Sequence, residues 1–342
     1  MDVYQAERSL MDVTLVALFN LVNIGVNEAP VINITALKLT IQVMKVCEYD
    51  ADVLFKGLKI VAALTPNECY LVVLNERDGI AFLMNIISQH ICSGKLVQLA
   101  CLCISNALVS EQIQAVFQRR HLEYGRTLLA CMDLHRQNIR TIKYILVSFA
   151  LMARSGIAMD LMSREGLHAF IRVSQPFLHD QETVSYLIEI IGQVSISGRY
   201  TADIVQTGCV KLLLHILNVY TQTHALVLGV LRSILIIMGI SNECKLILSE
   251  AGGEAAVDHA INLHSERDVR KVGGKILRRL RDEESLDSLR LSFVTRRGQN
   301  KNHEISELSD AQLNRLERGA SRRRTIWTEA SDERRTSFLI PV

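Results

Sequence analysis

The sequence is poor in several kinds of residue, and each shortage makes some structures or functions less expected. Aromatic residues make up 5% of the 342 residues, tryptophan occurs once, and proline occurs four times. Scarce proline favours helices, because proline breaks a helix interior. The formal net charge is only +2 and the pI is near 8.1. Without a strongly basic face or many stacking aromatics, the chain is not expected to bind nucleic acid.

The sequence is also not expected to carry a segment for secretion or membrane insertion. Its N-terminus, MDVYQAERSL, is charged where a signal peptide is apolar, and Asp2 excludes N-myristoylation, which needs glycine at that position. The longest apolar segment, residues 224–240, carries Arg232 at its centre. An arginine at that depth in a bilayer is costly, so a buried helix is expected there. We therefore expect a cytoplasmic protein with no membrane partner.

Motifs for metal or covalent chemistry are missing too. The eight cysteines contain no CxxC pair, a pattern typical of free thiols in a reducing compartment. Cys101 and Cys103 lie about 200° apart around a helix and cannot share a metal ion. The chain has no HExxH, no GxSxG and no complete phosphate-binding loop. We predict no catalytic residue, no metal and no cofactor. An enzyme or enzyme subunit stays as a weaker alternative, because catalytic groups can assemble from distant positions.

What the sequence does contain is an internal repeat of about 43 residues. Glycines at predicted turns recur with gaps of 87, 42 and 44 residues, the first gap being two periods: Gly79, Gly166, Gly208 and Gly252. Each unit reads as a turn, a short apolar helix, a polar break, a longer apolar helix and a last short run. One such unit cannot bury its apolar faces alone, so the period predicts stacked units in a right-handed helical solenoid.

Polar residues inside the longer helices follow the same period. Asn20, Asn106 and Gln193 are separated by 86 and 87 residues, and Ala63 and Phe149 occupy the intermediate positions. Charged residues also interrupt these helices, at Lys59, Glu189 and Arg232. A charge on an otherwise apolar helix is either solvated or faces a partner.

The units resemble armadillo repeats. The run ACLCISNA (residues 100–107) matches the small, apolar third helix of that family position by position. By this resemblance Cys101 and Cys103 stand where small alanines usually pack, and Asn106 stands where the family has a groove asparagine. The resemblance covers about residues 9–280 in six units, of which the first is partial. It implies an all-α, right-handed α-solenoid of about six armadillo-like repeats.

The resemblance also implies where a partner binds. In armadillo proteins the third helices line a groove, where asparagines hydrogen-bond the backbone of an extended peptide. The expected groove residues are Asn20, Lys59, Asn106, Glu189, Gln193 and Arg232. For each asparagine the alternative is a structural role, in which the side chain caps or bridges neighbouring helices.

The composition changes after residue 280. Residues 281–342 carry 12 basic and 11 acidic residues, so we predict a solenoid over residues 1–280 and a charged, partly disordered tail over 281–342. One short helix is expected at 305–319. The runs RRRT and RRTS resemble sites of basophilic kinases and make Thr325 and Ser337 candidate phosphosites. The tail could bind the groove of its own chain.

Together these features predict a non-catalytic scaffold or adaptor that binds a protein partner, either an extended peptide or a subunit. The resemblance suggests a cytoskeletal, ciliary or trafficking assembly. The alternative is a cargo receptor of the nuclear-transport type. Such receptors carry a tryptophan four positions before the groove asparagine, where this sequence has Val16, Leu102 and Glu189.

Overall fold

A computed structural model of the chain describes residues 2–25 and 30–281. These residues form helices, turns and short loops, and no strand occurs among them. They divide into two compact units: unit 1 ends at Leu161 and unit 2 begins at Met162. The predicted helix 305–319, Thr325 and Ser337 lie outside the described residues. No helix in the described part of the chain has the length and apolar character needed to cross a membrane.

Unit 1 is built from helices arranged in successive repeats. They are α1 (Asp2–Gly25), α2 (Pro30–Val46), α3 (Ala51–Leu64), α4 (Glu68–Glu76), α5 (Gly79–Gln89), α6 (Gly94–Ala107), α7 (Glu111–Arg119), α8 (His121–Leu134), α9 (Ile139–Arg154) and the single turn α10 (Met159–Leu161).

Unit 2 opens with a π-helical turn, Met162–Gly166, and includes a 3₁₀ turn, Gln175–Phe177. Its α-helices are α11 (Leu167–Ser174), α12 (Gln181–Ser197), α13 (Thr201–Gln206), α14 (Cys209–Val219), α15 (His224–Met238), α16 (Asn242–Glu250), α17 (Gly253–Leu263) and α18 (Arg267–Leu280).

The long helix that closes each repeat sets the architecture. These third helices are α3, α6 and α9 in unit 1 and α12, α15 and α18 in unit 2, and their first residues follow one another by 42 to 45 residues. Within unit 1, α1 packs on α3, α3 on α6 and α6 on α9. Within unit 2, α12 packs on α15 and α15 on α18. The all-α architecture of repeated helices predicted from the period is confirmed within each unit.

Side-chain caps fix where several third helices begin. Asp50 accepts hydrogen bonds from the backbone N–H groups of Asp52 and Val53 at the start of α3. Asn138 accepts from the N–H of Thr141 at the start of α9, and Asp180 caps α12 in the same way. Each cap satisfies an N–H that has no partner inside the helix.

The turn before the second helix of a repeat uses a left-handed residue. Gly208 has φ of 83° before α14, and Gly252 has φ of 73° before α17. In the earlier repeat this residue is Asp78, with φ of 52°, and Gly79 is the first residue of α5. Gly166 has a right-handed φ of −70° and ends the π-helical turn. The glycine period therefore marks the turns, while only two of its four members need glycine's freedom at positive φ.

Candidate interaction surface on the third helices

One line of side chains runs along every third helix at the same positions. Counting the first residue of each helix as 1, these are registers 2, 5, 9 and 13, which fall on one side of a helix because they are spaced by three or four residues. We call this line the third-helix stripe. In unit 1 it consists of Asp52, Phe55, Lys59 and Ala63 on α3, Lys95, Gln98, Leu102 and Asn106 on α6, and Arg140, Lys143, Val147 and Leu151 on α9. In unit 2 it consists of Glu182, Ser185, Glu189 and Gln193 on α12, Ala225, Leu228, Arg232 and Ile236 on α15, and Asp268, Lys271, Lys275 and Arg279 on α18.

In unit 1 the stripe is the partly exposed side of each third helix. Register 2 is exposed on all three helices, registers 5 and 13 are half-buried, and register 9 is half-buried at Lys59 but buried at Leu102 and Val147. Registers 3, 7, 10 and 14 are buried against neighbouring helices, for example Leu96, Ala100, Cys103 and Ala107 on α6. The same division between core and surface recurs on α3 and α9. A molecule that approaches these helices therefore meets the stripe first.

Asn106 occupies register 13 of α6 and bridges to the preceding third helix. Its Nδ2 donates to the hydroxyl of Thr65 at 3.1 Å and to the carbonyl of Ala62 at 3.4 Å. Both acceptors lie at the C-terminal end of α3, where helix carbonyls have no partner inside the helix. Within the described residues no donor bonds Asn106 Oδ1, so this oxygen can accept a hydrogen bond from a partner.

Register 13 makes an equivalent bridge in unit 2. Arg279 on α18 donates from Nη1 to the carbonyl of Leu235 on α15 at 3.2 Å, across the same 44-residue separation as Asn106 and Ala62. A polar side chain at register 13 thus bonds the register 12 carbonyl of the helix before it. The period assigned Phe149 to this position, but α9 begins 45 residues after α6, so Leu151 takes register 13 and Phe149 is fully buried.

Asn20 and Lys59 are the other predicted groove residues of unit 1. Asn20 is exposed on α1, and the 43-residue spacing from Ala63 gives it the equivalent of register 13. Lys59, at register 9 of α3, is half-buried with its ammonium 4.9 Å from the centre of the Phe55 ring. This cation–π contact stabilises the Lys59 ammonium on the stripe, where no carboxylate of the described residues pairs with it.

The predicted groove residues of unit 2 lie deeper. Glu189 on α12 is 4% exposed and Arg232 on α15 is 6% exposed, while Gln193 is half-buried. Glu189 and Arg232 both occupy register 9, and α12 packs directly on α15. Buried charges need a partner, so opposite signs at one register of adjacent helices suit a structural pairing.

Another periodic set of side chains, which the sequence analysis did not predict, forms hydrogen bonds between consecutive repeats. Residues that follow the second helix reach back to the carbonyl of the equivalent loop 42 to 44 residues earlier. His90 donates from Nε2 to Glu48, His135 to Ile91, and His264 to Thr221, at 2.7 to 2.9 Å. Tyr220 donates its hydroxyl to Leu178 at 2.8 Å. The signal was present as a histidine or tyrosine recurring after the second helix, but spacing alone does not reveal a backbone acceptor.

The cysteines and histidines do not form a metal centre in the described part of the chain, where no group of three or more His, Cys, Asp or Glu side chains is placed to hold an ion. Cys101 and Cys103 are fully buried in α6, and burial raises the pKa of both thiols. Cys103 Sγ donates to the Leu58 carbonyl at 3.6 Å. These thiols fill the core between third helices.

Comparison with known proteins supports the fold. No model of a known protein family matches the sequence, and no curated protein matches it. Among solved structures, the chain is similar to one from work on a conserved phosphorylation switch that controls the interaction between cadherin and beta-catenin. The TM-score is 0.50 at 12% sequence identity, and the match covers 81% of this chain and 60% of that chain. At this identity the likeness shows an armadillo-like helical fold and nothing finer.

Proposed function

We propose that the protein is a non-catalytic interaction scaffold, or adaptor, that binds a partner peptide or subunit along the third-helix stripe. One observation carries the proposal: in unit 1, the exposed and half-buried registers 2, 5 and 13 of successive third helices carry mainly polar and charged side chains, while registers 3, 7, 10 and 14 fill the core. A surface repeated in this way suits a ligand that is itself extended and periodic.

The polar groups of the stripe can serve the backbone of such a ligand. Asn106 uses its Nδ2 inside the protein, so its Oδ1 faces the partner as an acceptor for a peptide N–H. Asn20 offers a whole exposed amide. Hydrogen bonds to a peptide backbone do not depend on side-chain identity, which lets one surface hold different sequences. Lys59 and Gln193 are the further proposed contacts, and Glu189 and Arg232, the remaining proposed groove residues, would act beneath the surface because both are buried.

We place this adaptor in the cytoplasm, in a cytoskeletal, ciliary or trafficking assembly. Its eight cysteines are all free, which is typical of a reducing compartment. The similar structure concerns an interaction controlled by phosphorylation. In this chain we propose that residues 320–342 compete with the partner and that phosphorylation at Thr325 or Ser337 changes the competition. Full-length T325E/S337E should then bind the partner with a different affinity from the unmodified chain.

Affinity capture with quantitative mass spectrometry tests the scaffold. The baits are the full chain, a stripe variant (Lys59→Ala with Asn106→Ala) and a matched variant on exposed second-helix positions (Asn85→Ala with Lys211→Ala). We expect a set of proteins that the stripe variant loses and the matched variant keeps. If both variants retain the same proteins as the unmodified chain, the stripe is not the interaction surface.

A further inference from the structure

The stripe of unit 1 carries basic charge that its own helices do not neutralise. Helices α6 and α9 contain no aspartate or glutamate. The exposed basic residues of the stripe on these two helices are Lys95 and Arg140, and α3 adds Lys59 together with the acidic Asp52. Lys95 and Arg140 are exposed, and both occupy register 2 of adjacent, directly packed helices. Two of these charges therefore stand side by side at the same level of the stack.

The acidic groups near this surface are already paired within the chain. Asp50 and Asp52 both contact the Arg8 guanidinium, at 2.8 and 3.5 Å, and Asp12 contacts the Lys56 ammonium at 2.8 Å. By contrast, over residues 8–20 and 33–281 no carboxylate lies within 4.0 Å of Lys59, Lys95 or Arg140. These three cations are left to solvent or to a partner.

Aromatic and aliphatic side chains accompany the charges. Phe55 lies beneath the Lys59 ammonium, and Leu99 and Tyr144 are half-buried at register 6 of α6 and α9, next to the stripe. A ligand with carboxylates alone would leave this apolar surface uncovered. A ligand that alternates acidic and aliphatic side chains would satisfy both.

We propose that the unit 1 stripe binds an extended acidic peptide whose glutamate or aspartate residues are separated by aliphatic ones. This rests on the proposed function of the stripe as a protein-binding surface and adds the charge of the partner. Packed helices lie about 8–10 Å apart, and an extended peptide in the polyproline II conformation advances about 3.1 Å per residue and returns every third side chain to the same side. Acidic residues about three positions apart therefore match one helix step, as from Lys95 to Arg140.

Fluorescence anisotropy with a synthetic peptide tests this on the full chain. The probe is a labelled peptide of about 12 residues, long enough to cross the unit 1 third helices, with glutamate at every third position and alanine and leucine between. The comparison probe has lysine in place of glutamate. We expect saturable binding of the glutamate probe, weakened by added salt because the attraction is Coulombic, and no binding of the lysine probe.

Charge reversal locates the site. Lys95→Glu with Arg140→Glu should weaken the glutamate probe about tenfold. A matched variant, Arg119→Glu with Lys211→Glu, changes the net charge equally at exposed positions off the stripe and should leave affinity within twofold. Circular dichroism checks that both variants fold. If the Lys95→Glu with Arg140→Glu variant does not fold, Lys95→Ala with Arg140→Ala takes its place.

Three outcomes overturn the inference: no binding of the glutamate probe, equal binding of the lysine probe, or equal loss in the stripe and matched variants. None of these outcomes contradicts the proposed function, because affinity capture detects a stripe-dependent partner of any charge. Capture of a neutral or basic partner would leave the scaffold standing and reject the acidic ligand.

Discussion

The side-chain amide of Asn106 donates a hydrogen bond to the hydroxyl of Thr65, with 3.1 Å between Nδ2 and Oγ1. The bond joins the C-terminal ends of two consecutive third helices, α3 and α6. The same asparagine is a proposed contact for the partner, so it serves the fold through one atom and the ligand through another.

Asn106→Ala removes the hydrogen bonds to Thr65 and to the Ala62 carbonyl, so it should lower the free energy of unfolding by about 1–2 kcal/mol, and it should also weaken partner binding. Thr65→Val removes only the bond between these two side chains and leaves Asn106 Oδ1, the proposed partner contact, in place, so it should affect stability alone. Thermal unfolding and partner affinity of the two variants are the measurements. Equal loss of affinity in both would show that Asn106 acts on binding only by supporting the fold.

The buried charges of unit 2 give a second prediction. We predict that Glu189 and Arg232 neutralise each other, because they share register 9 on packed helices and are 4% and 6% exposed. Glu189→Gln or Arg232→Met should each cost about 3 kcal/mol by leaving one buried charge unmatched. The double variant should cost less than the sum of the two. Chemical denaturation of the four proteins measures this coupling, and strictly additive losses would show that the two residues have separate partners.

Two glycines with open space around them should respond oppositely to alanine. A Cβ added at Gly252 or Gly274 would meet no atom within 4 Å, so the two alanine substitutions do not differ in steric clashes. Gly252 has φ of 73°, where a Cβ costs about 1 kcal/mol. Gly274 lies inside helix α18, where alanine is favoured over glycine by about 1 kcal/mol. Gly252→Ala should therefore lower the melting temperature and Gly274→Ala should raise it, as calorimetry can show. Shifts of the same sign would contradict the assigned turn.

Thiol reactivity tests the burial of the cysteines. Cys69 and Cys92 are exposed, whereas five others are buried in the core. Burial raises the pKa of Cys131 and Cys244 to about 12 and that of Cys209 to about 11, so these thiols stay protonated at pH 8. An aromatic disulfide reagent at pH 8 should label Cys69 and Cys92 fast and Cys47, which is half-buried with its pKa raised by burial, more slowly. In denaturant, the five buried thiols should become accessible and react as well. Fast labelling of Cys101 or Cys103 in the folded protein would contradict the packing of α6.

The sequence period was sufficient to predict the repeats, because the apolar third helices recur with little change in length. It failed where loops differ by a residue or two: Leu151 rather than Phe149 occupies register 13, since α9 starts 45 residues after α6. It also could not show that Arg232 is buried, because burial of a charge depends on what the adjacent helix offers. The hydrogen bonds from His90, His135 and His264 to backbone carbonyls could not be predicted from the sequence for a related reason. Their acceptors are carbonyls, which every residue has.

If a partner binds the third helices, site-specific photo-crosslinking in cells should capture it there. A photoreactive amino acid is placed at position 95, on the stripe of α6, or at position 85, exposed on α5 of the same repeat. We expect a protein adduct from position 95 that is lost with Lys59→Ala and Asn106→Ala, and no adduct from position 85. An adduct from position 85 with none from position 95 would contradict this expectation.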